Sequence, residues 1–107
     1  MAGCASMPPP TAELGAANAA IAVATNPDSQ HYAPDELAAA RTELAAAQAA
    51  MAKQDYDRAR ALIEAAQTDA DLARAKGRAL AAQSQVAIKT QDNANLRHSL
   101  LDQEPLP

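Results

Sequence analysis

The sequence has very few bulky side chains. Its 107 residues include no tryptophan and no phenylalanine, and Tyr32 and Tyr56 are its two tyrosines. Enzyme and cofactor pockets are walled mainly by large apolar and aromatic side chains, which exclude water and fix the geometry of the bound molecule. A chain with so few of these residues is poorly suited to forming such a pocket. We therefore expect that the protein is not an enzyme and holds no cofactor.

Sequence motifs for catalysis and metal binding are also missing. Glycine occurs three times, and there is no glycine-rich phosphate loop, nucleophile elbow or metal signature. His31 and His98 are far apart in the sequence, and we interpret each as an exposed polar residue. We expect no catalytic residues and no metal site.

The charge and hydropathy patterns exclude two further classes of function. Nine basic residues stand against thirteen acidic ones, for a formal net charge of −4, whereas a nucleic-acid-binding protein normally carries a basic face. The tightest basic cluster, Arg74, Lys76 and Arg78, is interpreted as a solvated face or the positive end of a helix. No apolar run approaches the roughly 18 residues of a membrane-spanning helix. We expect neither nucleic-acid binding nor a membrane span.

Alanine dominates what is present. The chain has 31 alanines, against 15 leucine, isoleucine and valine residues together. So small a share of large aliphatic residues raises the question of disorder, but alanine has the highest intrinsic helix propensity and the net charge is too small to hold the chain open. The composition therefore predicts an all-α fold, with helices joined by small-residue contacts and only modest stability.

The first two predicted helices follow from apolar spacing and helix-end signals. Helix one is predicted from Thr11 or Ala12 to about Thr25, with Thr11 as its N-cap, and Asn26-Pro27-Asp28 ends it because proline disfavours helix in the preceding residue. Helix two begins near Pro34, a residue suited to the first helical position. Its larger apolar residues recur every seven positions, as in a heptad seam: Leu37, Leu44 and Met51.

The third predicted helix starts near Asp55 and is long. We favour its continuing through Gly77 to the Asn93–Leu101 region, since one interior glycine costs only about 1 kcal/mol. The alternative is a break at Gly77 with a fourth helix folding back. Leu96, Leu100 and Leu101 are then either a partner-binding stripe, which is our candidate interaction face, or the core of that fourth helix.

A short joint between helices two and three favours an antiparallel hairpin. Helix one laid across that hairpin gives a three-helix bundle in which the third helix overshoots the other two. The predicted organisation is a tether over residues 1–11, an alanine-rich helical domain over 12–101 and a disordered tail over 102–107.

The chain opens with a recognisable motif, Met1-Ala2-Gly3-Cys4-Ala5-Ser6. This resembles the lipobox, the end of a bacterial lipoprotein signal peptide, in which small residues precede a cysteine that becomes lipidated. Ala2 and Gly3 match the small positions, and Cys4 matches the lipidated residue. Met1 stands where leucine is usual, and we interpret it as a start codon placed just before the cleavage site, so that the chain in this form is soluble and unlipidated. The alternative is a free cysteine in a disordered tail.

The residues that follow Cys4 support the lipid interpretation. Pro8–Pro10 favours an extended, semi-rigid spacer that would hold a folded domain off a membrane. By resemblance to lipoproteins of Gram-negative bacteria, Ala5 after the cysteine implies the outer membrane. We expect the natural protein to be lipid-anchored there through Cys4 and to face the periplasm.

Two segments carry a resemblance to a known family. Residues 32–41, from Tyr32-Ala33-Pro34 onward, and residues 50–60, with the turn Asp55-Tyr56, resemble a family of alanine-rich bacterial lipoproteins classified as a domain of unknown function. Its members occur alone or ahead of OmpA-like peptidoglycan-binding domains. The resemblance covers roughly residues 12–80 and implies a helical fold in the cell envelope, without implying an activity.

The resulting functional hypothesis is a structural or protein-interaction module of the outer membrane or periplasm. Expected partners are the membrane, through lipid on Cys4, and envelope or peptidoglycan-associated proteins, with a homo-oligomer as a further candidate. The alternative hypothesis is a periplasmic carrier of a small ligand or peptide, with a groove near Tyr32 and Tyr56.

Overall fold

A computed structural model describes residues 8–103 of the chain. Within that range the protein is all-α, as expected, with four helices and no strand: α1 (Thr11–Ala24), α2 (Pro27–Tyr32), α3 (Pro34–Ala52) and α4 (Tyr56–Asp102). Cys4 and residues 104–107 lie outside the described residues, so lipidation and the disordered tail remain predictions.

Helix α1 has the expected bounds but a different start. The prediction that Thr11 is the N-cap is wrong, because Thr11 is already the first helical residue and Pro10 precedes it without a side-chain cap. The helix ends at Ala24, and the hydroxyl of Thr25 donates a hydrogen bond of 2.7 Å to the carbonyl of Ile21. Ala17, Ile21 and Ala24 form its buried face.

Helix α2 was missed by the sequence analysis, which predicted three helices and took the Asn26-Pro27 pair only as a stop. The Asn26 side chain accepts a 2.9 Å hydrogen bond from the backbone N–H of Ser29, and Pro27 occupies the first turn. An asparagine N-cap followed by proline is a strong signal for a helix start. The same residues therefore end α1 and begin a new helix of one and a half turns.

A tight turn joins α3 to α4. Gln54 adopts a positive φ of 61°, the left-handed conformation that commonly closes a helix C-terminus. The backbone N–H of Asp55 donates to the carbonyl of Ala50 at 2.9 Å, and the Asp55 carboxylate accepts from the N–H of Arg58 at 3.3 Å. Asp55 is thus the N-cap of α4, within one residue of the predicted start.

Helix α4 has 47 residues, which makes it about 70 Å long at 1.5 Å per residue. It passes through Gly77 without interruption. The alternative of a break at Gly77 and a fourth helix folding back is therefore wrong, and the long final helix is confirmed.

The core consists mostly of alanine. Leu37 and Ile63 are the largest apolar side chains that are almost completely buried. The buried residues of α4 follow a strict four-three spacing: Ala59, Ile63, Ala66, Ala70, Ala73 and Gly77. Leu72 lies outside this stripe and is 49% exposed. The small side chains bring α4 close to its neighbours and leave little apolar area to stabilise the fold.

Gly77 marks the point where α2 meets α4. A Cβ atom placed on Gly77 would lie 2.8 Å from the backbone nitrogen of Ser29 and 2.9 Å from its Cα. Ser29 is fully buried at this contact. The close contact between the two helix backbones therefore explains why glycine occupies position 77; its backbone conformation does not require glycine.

Candidate interaction surface on α4

The last part of α4 has no neighbouring helix in the described structure. Every residue from 85 to 103 is exposed, and we call this segment the arm. Its 19 residues extend about 28 Å beyond the packed helices. The three predicted interaction residues all lie on the arm, with exposed fractions of 58% for Leu96, 61% for Leu100 and 65% for Leu101.

The apolar face of the arm is rotated away from the buried face of α4. Continuing the four-three spacing of the buried residues beyond Gly77 gives a series whose members on the arm are small, polar or, at its end, leucine: Ala87, Gln91, Ala94, His98 and Leu101. Successive helical residues are separated by about 100°. The larger apolar residues Leu96 and Leu100 therefore fall on nearly the opposite side of the helix from Gln91 and His98.

The opposite side of the arm is polar from Gln91 to Asp102, whereas the exposed Ile88 lies on this side one turn earlier. The Gln91 amide donates to the Asn95 side chain at 3.0 Å, and His98 Nε2 lies 3.3 Å from a carboxylate oxygen of Asp102. Both contacts join residues four apart, as neighbours on one helix face do. The arm is thus amphipathic, with this polar face opposite the face that carries Leu96 and Leu100.

The structure groups two of the three predicted interaction residues and separates the third. Leu96 and Leu100 are four apart and adjacent on the helix surface, whereas Leu101 is turned by about 100° from Leu100. A shallow depression of about 460 Å³ lies on this side of the arm and is lined by Asn93, Leu96, Arg97, Leu100 and Leu101. Asn93 and Arg97 were not predicted, although their three- and four-residue spacing from the leucines indicates that they share this side of the helix.

The segment before α1 is held at the other end of the molecule. Arg60, near the start of α4, donates a hydrogen bond to the carbonyl of Pro8 and pairs with the Glu13 carboxylate at 3.1 Å. Pro10, which lies between Pro8 and Glu13 in the sequence, is fully buried. A backbone hydrogen bond at the start of α1, together with the Arg60 hydrogen bond, lowers the pKa of Glu13. Pro8, the first described residue, therefore lies near the start of α4.

A second ion pair joins α3 to the middle of α4. Lys76 donates to the Glu36 carboxylate at 2.8 Å. This hydrogen bond is the main cause of a lowered pKa for Glu36. Because Lys76 is engaged in this way, the basic cluster Arg74, Lys76 and Arg78 is not a uniform basic surface.

Two carboxyl groups meet between α3 and α4. Glu43 and Asp69 are both partly buried, and the interaction with the Asp69 carboxyl group, together with burial, raises the pKa of Glu43 to about 7. Two carboxylates so close cannot readily both be ionised. This pair was not predicted because the two residues come from different helices.

The tyrosines of the carrier hypothesis do not share a groove. Tyr32 ends α2, just before α3 begins, whereas Tyr56 begins α4, just after α3 ends. The 19 residues of α3 separate them by about 28 Å. Tyr32 packs edge-on against the His31 ring, with 4.5 Å between ring centroids.

Two further kinds of feature are absent from the described part of the chain. Among residues 8–103, no group of three or more potential metal ligands is close enough to hold an ion. Over the same stretch, no helix combines the length and apolar character needed to cross a membrane.

The predicted family resemblance is found over most of the chain. A family described as a domain of unknown function (DUF4398) matches residues 12–88. The chain belongs to this family. The match confirms the predicted resemblance and includes α1, α2, α3 and the first part of α4. Most of the arm, residues 89–103, lies beyond the matched DUF4398 region. No curated protein and no solved structure matches the chain.

Proposed function

We propose that this DUF4398 protein is a non-catalytic lipoprotein domain of the cell envelope, which binds partner proteins through the arm while lipid on Cys4 holds it at the outer membrane. The observation that carries the proposal is the exposed pair Leu96 and Leu100 on a helix without neighbours. Exposed apolar side chains grouped on one helix face are typical of an interaction site.

The proposed architecture is a three-helix bundle in which α3 and α4 form an antiparallel hairpin and α1 lies beside them. Contacts at both ends support it: Glu36, at the start of α3, pairs with Lys76 in mid-α4, while the end of α3 turns directly into α4. Glu13 of α1 pairs with Arg60 near the start of α4. In this arrangement α2 is the connector from α1 to α3.

The positions of the two ends support a tethered interaction module. Arg60 holds the segment that leads to Cys4, and Leu100 lies 40 residues further along the same continuous helix. That separation is about 60 Å. A lipid on Cys4 would therefore anchor one end of the molecule while the arm projects away from the membrane, within reach of other envelope or peptidoglycan-associated proteins.

The anchor is tested by expressing the protein with a lipoprotein signal peptide in a Gram-negative host. Mass spectrometry of the purified protein should show acyl chains on Cys4, and a Cys4→Ser variant should move from the membrane to the soluble periplasmic fraction. An unmodified Cys4 in a protein that still fractionates with the membrane would contradict the proposed anchor.

The interaction face is tested with matched charge substitutions on the arm. Leu96→Asp should abolish recovery of partners in a pull-down after cross-linking of cells, because an apolar interface disfavours an unpaired carboxylate. Gln91→Asp introduces the same charge on the polar face and should leave recovery unchanged. Equal recovery of the same partners with both variants would rule out this face of the arm.

A further inference from the structure

We propose that the partner of the arm is a second copy of this chain, paired with it as a parallel two-stranded coiled coil. This inference deepens the proposed function and rests on the arm being its interaction surface. Three features of the arm support it: the spacing of its apolar residues, the shape of its depression and the placement of its charges.

The spacing of the arm residues matches a heptad repeat. Val86, Asn93 and Leu100 are seven apart and take the a positions, while Leu96 takes the intervening d position. A β-branched residue at a with leucine at d favours two strands, and a single asparagine at a fixes the register in parallel dimers. Lys89, also at d, is the unfavourable member, but its long stem can cover apolar surface while its ammonium extends to solvent.

The depression on the arm has the shape required by this pairing. In a coiled coil, each a or d side chain inserts into a hole formed by four residues of the facing helix. Asn93, Leu96, Arg97 and Leu100 line the depression and are related by steps of three, four and seven, the diamond that forms such a hole. In a parallel, in-register pair, Leu96 of the second copy inserts there.

The charges distinguish parallel from antiparallel pairing. Asp92 comes just before Asn93 at a, so it is at a g position, and Arg97 comes just after Leu96 at d, so it is at an e position. In a parallel pair, Asp92 of one chain faces Arg97 of the other, and such e–g pairs set orientation. An antiparallel pair centred on Asn93 would instead bring Asp92 next to its own copy, where like charges repel.

The strength of this pairing depends on tethering. The three larger apolar residues at the a and d positions of each chain, Val86, Leu96 and Leu100, cannot bury the roughly 1,000 Å² of a stable interface. A parallel pair places both N-terminal segments at the same end, so both lipid anchors can enter one membrane. Confinement to a surface raises the effective concentration and converts a weak contact into a populated dimer.

Disulfide trapping tests the pairing directly. The chain, with Cys4→Ser and an N-terminal histidine tag, is bound to vesicles that contain nickel-chelating lipid. Leu100→Cys should form disulfide-linked dimers on oxidation, because identical a positions lie side by side in a parallel pair, within disulfide reach. Gln91→Cys, on the opposite face, is the matched control. On vesicles, we expect Leu100→Cys to cross-link on the order of ten times faster than Gln91→Cys. In free solution, the difference between these two variants should be smaller.

Charge variants provide a second, independent readout. In the Leu100→Cys background, Arg97→Asp should slow cross-linking by placing two carboxylates opposite each other, and adding Asp92→Arg should restore it. These residues are exposed, and circular dichroism should show that every variant remains folded.

Two results would overturn the second-copy proposal. One is equal cross-linking of Leu100→Cys and Gln91→Cys on vesicles. The other is preferential disulfide formation between Val86→Cys and Leu100→Cys in a mixture, which indicates antiparallel pairing. If Leu96-dependent recovery of other envelope proteins persists in either case, the arm is still an interaction site and only its occupant is wrong.

Discussion

Replacing Gly77 with alanine tests the contact at which α2 meets α4. The added Cβ would lie 2.8 Å and 2.9 Å from backbone atoms of Ser29 and 3.0 Å from the carbonyl carbon of Asp28. Backbone atoms cannot rotate away as a side chain can, so α2 must shift as a whole. Overpacking of this kind costs about 1–3 kcal/mol.

The substitution also has a stabilising effect that opposes the clash. The same substitution at Gly15 measures this stabilising effect alone. Glycine within a helix is less stable than alanine by roughly 0.5–1 kcal/mol, so Gly77→Ala gains that amount while incurring the clash. Gly15 is within α1 and is exposed, and a Cβ added there would have no atom within 4 Å. Gly15→Ala therefore gains helix propensity without a clash and serves as the matched control.

The expected outcome is a difference between the two variants. Gly15→Ala should raise the free energy of unfolding by about 0.5–1 kcal/mol. The free energy of unfolding of Gly77→Ala should be lower than that of Gly15→Ala by about 1–3 kcal/mol. For a domain of this size, 1 kcal/mol shifts Tm by roughly 4–8 °C, which circular dichroism resolves. If both variants raised Tm equally, the close packing of α2 on α4 would be refuted.

Two further predictions concern ionisable groups. Because the pKa of Glu43 is raised from its ordinary value of 4.5 to about 7, the protonated group stabilises the fold at a pH below 4.5, and this contribution is lost as pH rises through 7. In urea titrations between pH 5 and 8, the stability of the wild type should therefore fall relative to that of Glu43→Gln. Parallel pH profiles of the two proteins would contradict this. Arg60→Met should release the segment around Pro8 and accelerate its proteolysis. The control is Arg58→Met, since Arg58 is an exposed neighbour of Arg60. Equal cleavage of the two variants would show that Arg60 does not hold that segment.

Helix positions were largely predictable because their signals are local. Proline at the first position of α3 and aspartate before α4 act on neighbouring residues, and alanine spacing shows which face packs. Helix α2 was missed because Asn26-Pro27 carries a stop signal and a start signal together. In the structure, the backbone of this short helix packs closely against Gly77 at Ser29.

The features of the surface were only partly predictable because they join distant residues. The pairs Arg60–Glu13 and Glu43–Asp69 depend on which helices lie side by side, which a periodic pattern does not specify. The arm leucines were identified from sequence, but their grouping was not. Leu101 was grouped with Leu100, although adjacent residues of the continuous helix point about 100° apart.

Site-specific photo-cross-linking in cells tests the central claim most directly, that a lipid-anchored domain binds through one face of the arm. A photoreactive amino acid replaces Leu96 or, as the control, Gln91 in the otherwise natural protein, and each is repeated with Cys4→Ser. We predict adducts from position 96, none above background from position 91, and strongly reduced adducts once Cys4 is replaced. Equal labelling from both positions, or adducts at position 96 unaffected by Cys4→Ser, would contradict this account.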